Sequence, residues 1–372
     1  MDPAEPDFEE HRLVFVPDFP LDDVKAVMEL LASANILVAG YEVTSAGFYD
    51  IEAHIFSAYV ARQETILLPD RNVTSRLAQI IRGEPIGQKD PQRRHAAAVM
   101  AFAQCFNVKI EPSISFHELA SREGNAKALD ELAWFRAADR AQPFLWLDLA
   151  LDRLSQVDRH GSAPPLPQFY DLAKPLRRWR RNYVLALKIA ELELTTAKPL
   201  ARILAFFQWM DSDFMVGGPA AILACLYFSS GFPRKRLLKS LKSKDRERAI
   251  NGVKNAAWDL THLSDFIERV NAEKDSQKAY VFASFDAGLL QLASIALGSS
   301  LNADVRTTLA KGLSSWWPDR EANQISATLM ELIEAAAADR TERQARQRTR
   351  AVSIDNMIVV GEAIVRSAST GE

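Results

Sequence analysis

The chain has little cysteine, little histidine and no long apolar run. Its two cysteines in 372 residues, Cys105 and Cys225, lie far apart in apolar, helix-like surroundings. They exclude a disulfide framework and a cysteine zinc site, and read as buried thiols in a reducing cytoplasm. The six histidines (His11, His54, His95, His117, His160, His262) show no paired spacing suited to zinc. Glycine is scarce, at 15 residues, and "MVGGPAA" lacks the lysine and spacing of a phosphate loop. A nucleophilic serine elbow is also missing. The longest uncharged apolar stretch, "FMVGGPAAILACLYFSS" over 214–230, reads as a buried helix starting near Pro219. It falls short of the roughly 20 residues that span a bilayer. The opening "MDPAEPDFEE" is acidic, the opposite of a secretory signal. Together these absences predict a cytoplasmic protein that makes no use of a membrane.

At 48% hydrophobic and 25% charged, the composition is that of a globular protein. The length accommodates two units or one elaborated domain. Charge is unevenly spread: residues 1–70 hold 14 acids and 3 bases, a net of −11, so the remainder carries +8 of the overall −3. Either the later part meets an anionic partner, or the two parts attract each other. Two basic stretches stand out. "RRWRRNY" (177–183) interleaves Trp179 and Tyr183 with Arg177, Arg178, Arg180 and Arg181, which suits phosphate contact with base stacking. Residues 234–254 hold nine Lys/Arg against two acids, beginning with Arg234, Lys235 and Arg236. Each stretch also reads as a solvated helix face.

Periodicity predicts a helix around 21–33, strands "LVFV" (13–16) and "ANILVAG" (34–40), a helix from Asp50, and a strand "TILLP" ending at Asp70. "NVKIEPSISFHELAS" reads as strand, turn, strand or loop, then helix. From 126 to 230 the pattern is almost wholly helical, broken by the linker-like "DRHGSAPPLPQ" (158–168). A second buried strand, "AYVFASFD" (279–286), follows, and the tail from 321 is helical and Arg-rich. No internal repeat of fixed period is present.

Two buried strands thus run straight into an aspartate followed by a helix. That is the pattern of a short parallel sheet with crossover helices, in which functional groups collect at the strands' carboxyl ends. Taken singly, each acid is equally a helix cap or a surface carboxylate.

Asp70, Asn72, Val73 and Ser75 after a strand, Glu118 in "SISFHELA", Asp259 in "NAAWDLTHL", and Ser284 with Asp286 in "ASFDAGLLQLA" resemble, in order, the motifs of PIN-domain nucleases. The resemblance implies an α/β fold, rich in helix overall, with a PIN-like short parallel sheet flanked by helices. Its core would comprise residues 62–140 and 246–298, joined by a large all-helical insertion (141–245). An acidic α/β segment (1–61) and a helical C-terminal region (299–372) would flank it. It implies that Asp70, Glu118, Asp259 and Asp286 are catalytic and bind Mg²⁺ or Mn²⁺, with Asn72 and Ser284 orienting them. Two such ions about 4 Å apart activate water and stabilise the leaving oxygen of a phosphodiester. The implied activity is endonucleolytic and toxin-like, with RNA ahead of DNA. A protein inhibitor or a homo-oligomer is left open as a partner, and the basic residues named above are the nucleic-acid contacts.

The 141 residues between Glu118 and Asp259 exceed the spacing of a compact PIN domain, which is why the insertion is required. Asp130, Glu131, Asp139, Asp211 and Asp213 compete for the third carboxylate, Asp213 more simply as a cap. His117 and His262 could face the site, His262 one turn after Asp259, but both read more simply as structural. Two other functions fit the same residues. One is a non-catalytic helical interaction or nucleic-acid-binding protein. The other is a haloacid-dehalogenase-like phosphotransferase with Asp70 as nucleophile, weakened because Asn72 stands where a proton-shuttling acid is needed.

Overall fold

The computed structural model describes residues 19–41, 43, 47–87, 90–158, 170–196, 198–231, 238–272, 277–301, 305–338 and 353–368. The expected strand at 13–16, most of the 158–168 linker, the Arg-rich 339–350 stretch and Arg234, Lys235 and Arg236 lie outside them. Among the described residues, no helix is long and apolar enough to cross a membrane.

The fold is built on two six-residue strands. In chain order the first elements are α1 (Leu21–Ala34), β1 (Leu37–Ala39), α2 (Ile51–Ile55) continuing into a π-helical turn, β2 (Glu64–Pro69) and α3 (Arg71–Ile81). They are followed by α4 (Pro91–Cys105), β3 (Lys109–Ile110), α5 (Ser113–Glu123), α6 (Asn125–Asp139) and α7 (Pro143–Ala150). Next come α8 (Arg177–Thr195), α9 (Pro199–Ser212), α10 (Gly218–Phe228), α11 (Arg246–Ala272) and β4 (Lys278–Ala283). The last are α12 (Ala287–Leu301), α13 (Val305–Leu313), α14 (Asp319–Ala338) and α15 (Ile354–Ser367).

β2 and β4 pair in parallel over their whole length, from Glu64 opposite Lys278 to Pro69 opposite Ala283. The sheet order is β1-β4-β2-β3. The sheet is mixed rather than wholly parallel as expected, because β1 runs antiparallel to β4. An antiparallel edge strand on an otherwise parallel sheet is common, and both edges here are very short, which limits unpaired backbone.

Each central strand is apolar on both faces, as a sheet covered by helices on both sides requires. Leu67, Val281 and Ala283 point into one core, shared with α1 and α3 to α7. Leu68, Tyr280 and Phe282 point into the other, shared with α8 to α14 and α15. The chain leaves β2 into α3 on the first face, and leaves β4 into α12 on the second. Neighbouring parallel strands whose connections depart to opposite faces leave a crevice beyond their carboxyl ends. Asp70 and Asp286 follow those ends.

Two local expectations are corrected. "SISF" forms neither strand nor loop: after the two-residue β3, α5 begins at Ser113, so Glu118 sits in the middle of that helix. "ANILVAG" shrinks to Leu37–Ala39, because its first residues finish α1, which Asn35 closes in the left-handed conformation at φ 49°.

One glycine fixes the approach to the crevice. Gly252 lies within α11, and a Cβ there would fall 1.7 Å from the carbonyl oxygen of Lys239. Only the missing side chain lets the 238–241 segment lie against the helix. Gly252→Ala gains about 1 kcal/mol in helix propensity, but the backbone clash displaces the segment at a cost of about 1–3 kcal/mol. Net destabilisation is expected in a urea melt, and an unchanged or raised midpoint would refute the close approach.

Candidate functional site

Asp70 is 6% exposed and sits at the β2–α3 junction. Its Oδ1 accepts the Arg71 backbone N–H at 2.5 Å, so it caps α3. Its Oδ2 accepts from Asn72 Nδ2 at 2.6 Å and from Ser284 Oγ at 2.8 Å. Asn72 in turn accepts the Phe285 backbone N–H at 3.0 Å, and Ser284 Oγ accepts that of Asp286 at 3.0 Å. Asp286 Oδ1 receives the backbone N–H groups of Gly288 and Leu289 at 2.9 and 3.2 Å, capping α12. Capping and display therefore coincide at both aspartates. Asn72 has its carboxamide committed at both ends and carries no transferable proton, so the general-acid role needed for the phosphotransferase reading is closed to it.

Asp70 and Asp286, just past the ends of β2 and β4, and Glu118 and Asp259, on α5 and α11, line a single pocket of about 390 Å³. The rivals Asp130, Glu131, Asp139, Asp211 and Asp213 do not line it. Glu131 instead pairs with Arg71 at 2.7 Å, and Asp130 pairs with Arg82 at 2.5 Å. Arg76, Arg122, Lys239 and Asn255 share the wall. Lys239 is exposed, and Arg122 approaches Glu118 at 3.5 Å.

His262, whose offset from Asp259 allows it to face the site but which reads more simply as structural, reaches the acids. Asn255, Asp259 and His262 recur on α11 at four- and three-residue spacing, so one helix face presents all three to the site. His262 is 5% exposed. Its Nε2 stands 3.5 Å from Glu118 Oε2 and 3.7 Å from Asp70 Oδ1. That nitrogen has no hydrogen-bond partner of good geometry and meets the two carboxylates only as long ion pairs. Among the described residues, Asp70, Glu118 and His262 can bring three ligand atoms within 4.8 Å of one another. Asp259 and Asp286 share the pocket but stand outside that tight group. The signal available in the sequence was the one-turn offset of His262 from Asp259.

Electrostatics follow from burial. Asp259 is pushed well above the usual carboxylate range, first by desolvation and then by Asp70, Glu118 and Asp286, against the pull of Lys239. Asp70 is raised by burial and by Glu118, although His262, Ser284 and the Arg71 N–H favour its charge. For His262, burial disfavours the imidazolium, but Glu118, Asp70 and Asp265 outweigh it and the net shift is upward.

Of the basic residues expected to meet nucleic acid, Arg178 pairs with Asp265 and Glu268 on α11, and Arg180 with Asp355 on α15. They tie helices together. Arg177 and Arg181 are exposed. Trp179 stacks on Tyr183 at 5.0 Å, and the buried Tyr183 hydroxyl bonds Glu362 at 2.6 Å, leaving the Tyr183 ring no face for a base.

Comparison of the chain with protein-family models, curated proteins and solved structures gives no match.

The raised groups set a sign for stability. A carboxyl whose folded pKa is raised opposes folding as pH rises from its ordinary value through its raised one. A histidine whose folded pKa is raised contributes fully below about 6.5 and loses that contribution as pH rises through the folded value. Both make the metal-free protein less stable as pH climbs. Asp259→Asn removes one negative charge from the pocket, so the metal-free protein is expected to gain on the order of 1 kcal/mol of stability at pH 7.5, read as a higher Tm. The gain should shrink toward pH 4. A lower Tm at pH 7.5 would contradict the assigned repulsion.

Proposed function

We propose that the chain is a divalent-cation-dependent phosphodiesterase acting on nucleic acid, an endoribonuclease of PIN-like architecture and toxin-like character. The observation that carries this reading is the convergence of four acids from four separate elements into one pocket with cations on its wall. Acids on separate elements do not gather by local sequence, and their mutual repulsion needs a compensating charge. The donor set fits a cation, because carboxylate oxygens suit Mg²⁺ and Mn²⁺ and the unpartnered His262 Nε2 is aimed among them. A bound ion of this kind lowers the pKa of water and withdraws charge from a phosphate.

The chain's own residues supply the rest. Asn72 and Ser284 hold the Asp70 carboxylate in one orientation, leaving its other edge toward the pocket. Lys239 and Arg122, exposed on the wall, offer positive charge to a phosphate backbone. Arg76 is held by Asp90 at 3.2 Å and by the Asn72 carbonyl at 2.9 Å, with its guanidinium over Phe285, and sets the rim.

Asp70→Asn tests the reading. The substitution keeps a good capping residue, so the protein is expected to fold. One hydrogen-bond acceptor is lost and one like charge disappears, so Tm should move by only a few degrees. Cleavage of RNA or single-stranded DNA with Mn²⁺ is expected to fall beyond the roughly 10–100-fold that loss of an orienting residue brings. A fully active variant, or wild-type cleavage that survives EDTA, would overturn the proposal.

Lys239→Ala separates substrate contact from ion binding. It is expected to weaken single-stranded RNA binding, with the slope of log affinity against log salt falling by about one. Metal affinity should hold. An unchanged slope would assign Lys239 to charge balance alone.

A further inference from the structure

We infer that His262 is a nitrogen ligand of the deepest cation position, together with Asp70 and Glu118, and that this donor set selects a transition-metal ion of the Mn²⁺ class over Mg²⁺. The inference rests on the metal-site reading above and goes further, since an all-carboxylate site would leave His262 out. Three observations carry it. His262 is 5% exposed, and its Nε2 has no hydrogen-bond partner, a rare condition for a buried polar atom. That atom faces two carboxylate oxygens at 3.5 and 3.7 Å. One ligand atom each from Asp70, Glu118 and His262 lies within 4.8 Å of the other two. Ligands about 2.1 Å from one octahedral ion stand about 3 Å apart when adjacent and about 4.2 Å when opposite. Contraction by about 1 Å would therefore close the group around an ion.

The ring is well placed for this work. α11 carries it, and it packs near the fully buried Phe282 at 6.5 Å. Asp265, the next acid on the helix, is committed to Arg178 and Arg269 and does not take the imidazole. Mg²⁺ is hard, demands oxygen ligands and keeps its waters, whereas imidazole nitrogen suits Fe²⁺, Ni²⁺, Cu²⁺ and Zn²⁺, and Mn²⁺, a first-row ion at home among carboxylates, stands between the two classes. One nitrogen among two carboxylates thus tilts the site away from Mg²⁺ without excluding it.

The test uses the full chain with metal alone. Mn²⁺ and Mg²⁺ affinities are measured by equilibrium titration, and pulsed electron paramagnetic resonance is recorded on the Mn²⁺ complex made with ¹⁴N- and ¹⁵N-histidine. The expected results are Mn²⁺ binding at least tenfold tighter than Mg²⁺, roughly as nitrogen ligation predicts, and a nitrogen coupling that changes with the isotope. His262→Gln supplies an oxygen donor of similar reach. It should abolish the coupling and lower Mn²⁺ affinity by about tenfold, with Mg²⁺ affinity changed less than about threefold. If the variant fails to fold, absence of the coupling in the wild type still overturns the inference, and its presence supports it because His262 is the histidine grouped with the acids among the described residues. Mn²⁺ binding without nitrogen coupling would overturn the inference alone. Binding of neither ion would overturn it together with the metal site. Nitrogen coupling in a protein that cleaves no nucleic acid would support the inference while ending the nuclease reading.

Discussion

The structure depends on the parallel pairing of β2 with β4. Pro69 lies opposite Ala283, and the Asp70 backbone N–H donates to the Ala283 carbonyl at 2.8 Å, extending the ladder one residue past the strand. That register puts Ser284 Oγ within 2.8 Å of the Asp70 carboxylate across 214 residues of chain. A one-residue slip would turn Leu67, Leu68, Tyr280 and Phe282 to the wrong faces, and two separate cores forbid it. Core packing therefore sets the alignment of the polar network, although none of the polar groups contributes to the core.

Charge is the second constraint. A buried carboxylate without a partner is costly and tends to be neutralised. Here Asp70 and Glu118 are buried side by side, Asp259 shares their pocket, and the positive charges around them are His262, Arg122 at 3.5 Å from Glu118, and Lys239 on the wall. Lys239 is held there by the close approach that Gly252 permits, and His262 by its turn of α11. With Arg122 these cations still number fewer than the four acids. This imbalance makes the pocket a place where a proton or a divalent ion changes the energy of the whole fold.

Much of this was legible in the sequence because it is local. An apolar run ending in Asp and followed by a helix is readable from 65 and again from 279, and both segments fold into adjacent strands, Glu64–Pro69 and Lys278–Ala283, each followed by a helix. The four acids, chosen for their order along the chain, line one pocket. What was not legible is non-local. The antiparallel β1 depends on where α1 packs, and three apolar residues cannot report their direction. His262 looks like any histidine on an apolar helix until Glu118, from another helix, is seen 3.5 Å away. Arg178 and Arg180 read as a basic patch because Asp265 and Asp355 are distant in sequence. Tyr183 looked available for stacking because burial by α15 is invisible from residue 183.

The doubling of cap and display at Asp70 and Asp286 has a physical reason. A parallel strand that turns directly into a helix points the helix N-terminus, with about half a positive charge, at the strand's carboxyl end. α3 and α12 both begin there, so two helix ends face the ground on which the acids stand. Unpaired N–H groups at each end bind a carboxylate oxygen and hold its charge in place: Arg71 on Asp70, Gly288 and Leu289 on Asp286. At Asp70 the second oxygen is aligned by Asn72 of the same helix and by Ser284 beyond β4, while Oδ1 faces His262 at 3.7 Å. Capping thus lowers the cost of gathering like charges at one point, and the same geometry leaves those charges oriented toward whatever cation or substrate enters the pocket.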